Sequence, residues 1–517
     1  MQSGSIFRVL AAAAALAAAA AGFLRGTHAA GGSDSYCYLS QAELFASGHV
    51  VNVQPIATMA TWERGTEAFI PVGHVRAYSP PGASVPMCPP GYPMLMAIAR
   101  MIGGRPAMFA VVPILGALAV WWTFLLGRRI AGPAVGATAA VLLAASPPFL
   151  YQIVQPMSDV PAAALWAAAL LAVTSDRFTT SFAGALTGGI VTGSALIVRP
   201  NLLPVAAVMA LVVFTRRELS SRMLLRTWTG LAAGAAPFAI AVAALQNAMY
   251  GGPFKSGYGD LDFLFRLDHV WPNLQRYPVW LLQTETPIVL LSLAAPFIAQ
   301  AGRRECVWLL GFVAAVFACY IPYEVFSAWW YLRFLLPAYP ALLVLLAVAV
   351  TTLFERWLPR WRVVEAVVIA AMALFMVRVA ADRGTFGLLN FERRFRIAGE
   401  YVATHLPANA AIVTGQESGS VRFYSGRLTL FWREMPDDSL NAALDFLRAQ
   451  GYRPYLLIEQ WEQADFVQKF GRSSRAGELS WPPIVDINHD VRIHDPDDYA
   501  RYRAGLPVRT DRICRKR

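Results

Sequence analysis

Long apolar runs, separated by short polar connections, make up most of the first 380 residues of the chain. A helix needs about 20 apolar residues to cross the ~30 Å hydrocarbon core of a bilayer. The pattern therefore predicts a polytopic α-helical membrane protein with about 11 transmembrane helices. The first run covers 6–24, and the others lie near 107–126, 133–149, 160–174, 183–198, 201–214, 229–248, 286–301, 307–322, 335–354 and 363–380.

The first run leaves two interpretations open. It is rich in alanine, follows Arg8 and precedes Thr27-His28-Ala29, which resembles the end of a signal peptide. Its length and the following Arg25 favour a helix that the protein retains. In both interpretations the segment after it lies outside the cytoplasm.

Arginine clusters between the runs predict the orientation, because cytoplasmic connections carry an excess of Lys and Arg. Placing every cluster in the cytoplasm needs no exception. The intervening connections 25–105, 150–160, 249–285 and 323–334 are therefore expected on the outer side. The clusters are Arg128-Arg129, Arg177, Arg216-Arg217 with Arg222 and Arg226, Arg303-Arg304, and Arg356 with Arg360 and Arg362.

Composition fits a membrane protein and not a soluble enzyme. The 517 residues are 56% hydrophobic and only 15% charged, whereas about 25% of an ordinary soluble domain is charged. Many of the basic residues behind the net charge of +11 lie in short clusters between apolar runs and not on one basic face with stacking aromatics. We therefore expect membrane lipids as partners and no nucleic acid.

The pattern changes after residue 380, where apolar runs shorten to strand length. Segments 410–414, 428–432 and 454–458 are typical of buried strands. Asp437–Gln450 and Gln460–Phe470 have helical spacing, with Asp438 or Ser439 as the expected cap of the former. We predict a transmembrane catalytic domain over 1–380 and an α/β domain over 381–517, which an odd number of crossings places in the periplasm.

Two carboxylates stand on the predicted outer connections. Asp34 follows the first helix, and Asp159 precedes Pro161 on the second connection. Two acids on one side of a membrane can divide the roles of base and orienting group. Each also has a structural interpretation, since Asp is a common helix cap. The first interpretation predicts that both acids are catalytic.

Cations on the same side are candidates for binding a phosphate group. Lys255 is the only lysine of the first 380 residues and lies in a glycine-rich turn, although it can equally extend to a lipid headgroup. Arg333 lies on the outer side, against the positive-inside trend, and Arg199 is a weaker candidate of the same kind. The adjoining Trp329-Trp330-Tyr331 is more typical of an interfacial belt than of a sugar platform.

The cysteines do not form a metal motif. Cys37 and Cys88 share one outer loop, where an oxidising compartment permits a disulfide. Sequence alone leaves that bridge open, because it does not give the distance between the two α-carbons. The chain has neither a CxxC pair nor Cys/His spacing for structural zinc.

The order of these motifs resembles that of bacterial GT-C glycosyltransferases. Within them the sequence is most similar to the branch related to protein O-mannosyltransferases and lipid A aminoarabinose transferases. The resemblance covers most of residues 1–380. It rests on Asp34 with Tyr38, Pro89-Pro90-Gly91-Tyr92-Pro93-Met94-Leu95, Ser158-Asp159, Arg199-Pro200-Asn201, Tyr250 to Gly259, and Leu332-Arg333-Phe334-Leu335-Leu336-Pro337.

The resemblance implies a sugar donor linked to polyprenyl phosphate and a periplasmic acceptor, which is a glycan, lipid or protein. It also implies that Asp34 deprotonates or orients the acceptor, in a single displacement with inversion at the bacterial inner membrane. Lys255, Arg333, Arg199 and Tyr258 are then expected at the donor phosphate. Many relatives have an acidic pair in the first loop, whereas here Ser35 follows Asp34, so a divalent cation stays an open option.

Two other functions compete with this one. A multi-pass transporter of an envelope precursor would also have many apolar helices, but transporters place ionisable residues near the midplane and have related halves. The acids here cluster in outer loops, and no internal duplication is visible. A non-catalytic membrane scaffold is the third interpretation, and it leaves the pairing of Asp34 with Asp159 unexplained.

Overall fold

Helices dominate the computed structural model, which describes residues 2–211, 220–508 and 510–513. The helices are α1 Gln2–Arg25, α2 Gly32–Ala46, α3 Gly65–Ala68, α4 Gly91–Met108, α5 Val111–Ala131, α6 Pro133–Ala145, α7 Pro147–Ile153, α8 Asp159–Val173, α9 Asp176–Thr180, α10 Phe182–Val198, α11 Leu203–Leu211, α12 Ser221–Tyr250, α13 Leu261–Leu264, α14 Val270–Glu285, α15 Ala295–Ile298, α16 Arg303–Tyr320, α17 Tyr339–Trp357, α18 Arg362–Asp382, α19 Leu388–His405, α20 Ser418–Ser425, α21 Leu440–Ala449, α22 Gln463–Phe470 and α23 Asp498–Arg503.

The strands are short and fall into two sheets. They are β1 Asn52–Val53, β2 His74–Arg76, β3 Ala83–Pro86, β4 Ala410–Thr414, β5 Leu428–Phe431, β6 Arg453–Glu459, β7 Val485–Ile487, β8 Val491–His494 and β9 Asp511–Ile513. One sheet has the order β1-β3-β2, and the other has the order β5-β4-β6-β8-β7-β9.

Several helices have the length and composition of membrane spans. Among the described residues five helices qualify, or up to seven if each of two bent helix pairs is one span. The two pairs are α6 with α7, bent by 61°, and Leu267–Glu285 with Pro287–Ile298, bent by 105°. The expected number of about 11 stays a prediction. Part of the run 201–214, the pair Arg216-Arg217 and Cys514 lie outside the described residues.

The chain divides into two compact units, each built from separate stretches of sequence. The membrane unit comprises 1–26, 89–244 and 258–388. The second unit, here called the mixed unit, comprises 27–88, 245–257 and 389–517. The predicted boundary at residue 380 stays a prediction, and the first outer loop groups with the C-terminal region.

Prolines mark both bends of the membrane unit. Pro147 and Pro148 follow Ser146 between α6 and α7, and Pro287 follows Thr286 after α14. Proline lacks a backbone N–H and suits the first turn of a new helix, so the chain changes direction there and starts again. Thr286 has a φ of 67°, in the left-handed region that β-branched residues rarely adopt.

The large sheet of the mixed unit is covered on both faces. Side chains alternate between faces along a strand. In β4, Ala411 and Val413 belong to one apolar cluster, whereas Ala410 and Ile412 belong to the other. The strands β5, β4 and β6 are parallel, as expected where helices connect them, and β8 lies antiparallel to β6.

The first outer loop contributes to the core of the C-terminal sheet. Ala57, Ala68 and Phe69 are almost completely buried in the same cluster as Trp432 and Phe466. The apolar residues of this loop are therefore structural, and the C-terminal sheet does not close its core with its own residues alone.

Candidate functional site

A buried ion pair lies in the membrane unit, between α8 and the end of α10. Asp159 begins α8 and is 1% exposed, and Arg199 follows α10 and is 7% exposed. One Arg199 nitrogen donates to Asp159 Oδ1, and another donates to the Tyr320 hydroxyl at 2.9 Å. The N-cap of α8 is Ser158, whose side chain makes no cap hydrogen bond. The carboxylate of Asp159, the next residue, accepts from Arg199.

A second arginine approaches the same aromatic ring as Arg199. The guanidinium carbon of Arg333 lies 5.1 Å from the centre of the Phe334 ring, and that of Arg199 lies 5.7 Å from it. Phe334 stacks on Tyr320 with 5.4 Å between ring centres. Guanidinium groups bind phosphate oxygens in bidentate fashion, so this cluster has the chemistry of an anion site.

The aromatic residues beside Arg333 fall into two groups. Trp329 and Trp330 contact Tyr151, with ring centres 5.1 and 6.0 Å apart respectively. Tyr331 instead lies 5.3 Å from the guanidinium carbon of Arg333. The segment that the sequence pattern treats as one belt therefore contributes Tyr331 to the cationic cluster and its tryptophans to another contact.

Glu285 is a buried acid to which sequence reasoning gave no role. It is 1% exposed, and its Oε1 accepts a 2.7 Å hydrogen bond from Ser146 Oγ. Ser146 lies at the bend between α6 and α7, and Glu285 lies at the bend after α14, so this hydrogen bond connects the two bends. The available signal was a polar residue one or two positions before a proline, within an apolar run or directly beside one.

Asp34 lies in the first turn of α2, in the mixed unit, and its side chain is partly exposed. The N-cap of this helix is Gly31, so the alternative interpretation of Asp34 as the cap is wrong.

A disulfide between Cys37 and Cys88 anchors the same helix. The two α-carbons are 6.1 Å apart, and the bridge closes a loop with a sequence separation of 51. Tyr36, beside Cys37, is buried and stacks on His74 with ring centres 5.2 Å apart. Burial raises the pKa of Tyr36 and lowers the pKa of His74 to about 3, so both side chains are neutral near pH 7.

Lys255 lies in the glycine-rich turn as predicted, and its side chain is exposed. Its backbone N–H donates to the Gly252 carbonyl at 3.2 Å. This turn belongs to the mixed unit, as does Asp34, whereas the exposed Tyr258 belongs to the membrane unit. In the membrane unit, the structure brings together Asp159, Arg199 and Arg333. In the mixed unit, it brings together Asp34, Cys37 and Cys88.

A group of buried acids in the C-terminal region was not identified from the sequence. Glu417 and Glu462 are fully buried, and Glu459 is 1% exposed. Burial raises the pKa of all three, and it raises the pKa of Glu392 to about 7 against the opposing effect of Arg394. Glu417 lies in the turn between β4 and α20, and α20 begins at the following residue.

The described residues contain no group of three or more His, Cys, Asp or Glu side chains placed to hold a metal ion. The hypothesis of a divalent cation therefore receives no support from a ligand cluster within the described part of the chain.

Solved structures of membrane glycosyltransferases are similar to this chain. ArnT from Cupriavidus metallidurans in the apo state has a TM-score of 0.59 at 14% identity, over 95% of this chain and 98% of that one. ArnT bound to undecaprenyl phosphate has a TM-score of 0.57 at 14% identity, over 89% and 94%. The apo oligosaccharyltransferase of Archaeoglobus fulgidus has a TM-score of 0.57 at 13% identity, over 90% of this chain and 71% of that one.

These neighbours define the class of the fold, which is the GT-C fold of membrane glycosyltransferases, as the sequence resemblance implies. ArnT is a neighbour over almost its whole length, so the C-terminal region lies within the shared architecture as well. Neither a protein-family model nor a curated protein matches the sequence.

Proposed function

We propose that the protein is a membrane glycosyltransferase that moves a sugar from a polyprenyl-phosphate donor to an acceptor on the outer side of the bacterial inner membrane. The observation that carries the proposal is the convergence of Arg199 and Arg333 on Phe334, in a chain with the fold of ArnT. One ArnT structure is a complex with undecaprenyl phosphate.

Arg333 is the proposed ligand of the donor phosphate. As the bond between sugar and phosphate breaks, negative charge develops on the leaving phosphate, and a fixed guanidinium stabilises that charge most when it needs no rearrangement. Asp159 has an orienting role here, because its Oδ1 already accepts from Arg199. It holds Arg199 against Phe334 and Tyr320, which form one side of the cationic cluster.

Asp34 is the proposed acceptor base. A carboxylate can take the proton of an incoming hydroxyl or amine, and the acceptor oxygen or nitrogen then attacks the anomeric carbon with inversion. Partial exposure of Asp34 suits a group that must meet an acceptor from water. Lys255, through its positive charge, and Tyr258, through its hydroxyl, are further proposed ligands of a donor phosphate.

The test is a transfer assay with purified full-length protein. Membranes from cells that lack the gene supply the unconsumed donor and the unmodified acceptor, and mass spectrometry follows the sugar-bearing product. The proposal predicts a product that gains one sugar residue and that does not form with Asp34→Asn. Membranes that show no change in any glycan, lipid or protein after addition of active wild-type protein would reject it.

Transport of an envelope precursor is the second candidate function. Two broken helices, linked by the Ser146–Glu285 hydrogen bond, are its specific support, since transporters bind substrates at such breaks. Proteoliposomes distinguish the two functions. A transporter moves a labelled lipid precursor across the bilayer without changing its mass, whereas a glycosyltransferase produces a new covalent product.

A further inference from the structure

The start of α2, which carries Asp34, is enclosed by the C-terminal helices α19 and α20. The Ala30 N–H donates to the Tyr424 hydroxyl of α20 at 2.9 Å. A Cβ added to Gly31 would lie 2.7 Å from an aromatic carbon of Phe395 in α19, and one added to Gly32 would lie 2.9 Å from Gln416 Nε2. Gly31 therefore permits an approach to Phe395 that a larger residue would prevent, and Gly32 has a φ of 56°, which favours glycine.

Gly419 permits an equally close approach one helical turn further along α2. A Cβ at Gly419 would overlap the ring of Tyr36, and the Tyr36 side chain is only 2% exposed. The same ring stacks on His74, and Ser40 Oγ lies 2.8 Å from His74 Nε2. Tyr36 is thus held between α20 and the first outer loop.

The loop that supports this arrangement is tied to α20 as well. The Val72 N–H donates to Ser418 Oγ at 3.0 Å, and Arg422 donates to the Phe69 carbonyl at 3.1 Å. A Cβ at Gly73 would overlap the Ser33 carbonyl, so the loop also contacts the first turn of α2 directly. Contacts from several sides leave α2 little freedom to rotate or slide.

Helix geometry connects these contacts to Asp34. Residues two positions apart lie about 200° apart around a helix, whereas residues four apart share a face. Tyr36 and Ser40 therefore form the face that contacts His74 and α20, and Asp34 points away from it. The contacts of the Tyr36 side chain therefore fix the rotation of α2 and with it the direction of the partly exposed carboxylate of Asp34.

We propose that α20 is a positioning platform for the acceptor base, with Tyr424 and Gly419 as positioning residues that set the place of Asp34 through Ala30 and Tyr36. The inference rests on the proposed function and adds a positioning role for the C-terminal region within the mixed unit. Neither residue is proposed to touch a substrate. Displacing a reacting group by about 1 Å can reduce a rate about 100-fold.

The test uses Tyr424→Phe and Gly419→Ala in the transfer assay described above. Tyr424→Phe keeps the ring and removes only the acceptor for the Ala30 N–H, and we expect kcat to fall about 10-fold. Gly419→Ala displaces the Tyr36 ring, and we expect a loss of about 100-fold in kcat. In both variants the half-saturating amount of donor membranes stays within about twofold of wild type, because no donor contact changes.

Two further variants separate positioning from loss of fold. Gly477→Ala is the matched control, since a Cβ there overlaps the Phe470 backbone away from α2, and it is expected to lower the yield but not the kcat of folded molecules. The double variant Gly419→Leu with Tyr36→Ala exchanges bulk across the contact and is expected to recover part of the kcat that each single change removes.

Each outcome decides one claim. A folded Tyr424→Phe protein with wild-type kcat overturns the positioning role while the proposed function stands. If wild-type protein transfers no sugar, the proposed function fails and hydrogen exchange decides the positioning claim. We expect Tyr424→Phe to speed amide exchange in residues 30–38 of the full chain at least about 10-fold, and unchanged exchange there overturns the claim.

Discussion

Replacing Asp159 with Asn tests whether the buried ion pair organises the cationic cluster. The side chains of Arg199 and Asp159 are 9% and 1% exposed, so water screens the pair poorly. Removing one partner of such a pair costs about 3–5 kcal/mol, because the other charge is left buried. We expect Asp159→Asn to lower the thermal midpoint of the purified protein in detergent and to reduce sugar transfer, since Arg199 loses its anchor beside Phe334.

The chain supplies its own control for this prediction. Arg378 and Asp382 form an exposed pair in α18, with side chains 76% and 57% exposed, and such pairs contribute about 0–1 kcal/mol. Asp382→Asn should therefore leave the midpoint nearly unchanged. The double variant Asp159→Asn with Arg199→Gln should recover most of the midpoint but not the transfer rate. Equal effects of Asp159→Asn and Asp382→Asn on the midpoint would refute the reasoning.

Three further predictions concern the mixed unit. Lys255→Ala should raise the half-saturating amount of donor membranes about 10-fold in the transfer assay, whereas Lys255→Arg should not, because the proposed contact is electrostatic. Equal half-saturating amounts for wild type and Lys255→Ala would favour a contact with a lipid headgroup. Glu392 has a pKa raised from 4.5 to about 7, so between these pH values the folded state binds a proton that the unfolded state has lost. The free energy of unfolding should therefore fall by on the order of 3 kcal/mol as pH rises from about 4.5 to 7. The decrease of the thermal midpoint over this pH range should be smaller in Glu392→Gln, and an equal decrease in both proteins contradicts the assignment. Replacing Cys37 and Cys88 together with Ser should cost about 2–4 kcal/mol through the freed loop, and an unaltered midpoint under non-reducing conditions would show that the bridge contributes nothing.

Apolar runs located most helices of the membrane unit, because lipid-facing and buried segments must both be apolar. The helices α4 and α14 were missed, since they lie mostly in segments expected to be outer connections. The predicted runs 133–149 and 363–380 overlap the observed helices closely. The three predicted strands lie within two residues of β4, β5 and β6. The short strands β7, β8 and β9 were missed, since segments of three or four residues give almost no alternation signal.

The candidate site was only partly readable from the sequence. The pairing of Asp159 with Arg199 joins residues 40 positions apart, and nothing local marks one as the partner of the other. Ser439 occupies the N-cap position expected of α21, yet its hydroxyl donates to the Pro436 carbonyl instead of capping the helix. Glycines 31, 32 and 419 are inconspicuous in the sequence because their function depends on a neighbour from a distant segment.

The most direct test of the account compares the initial rate of sugar transfer by wild-type protein and Asp34→Asn, with Glu43→Gln of the same helix as the control. The Asn side chain keeps the shape of Asp34 and removes the proton acceptor. Loss of a general base reduces rates by about 100- to 10,000-fold. The account predicts such a loss for Asp34→Asn at unchanged folding and a wild-type rate for Glu43→Gln. Transfer by folded Asp34→Asn at the wild-type rate would contradict it.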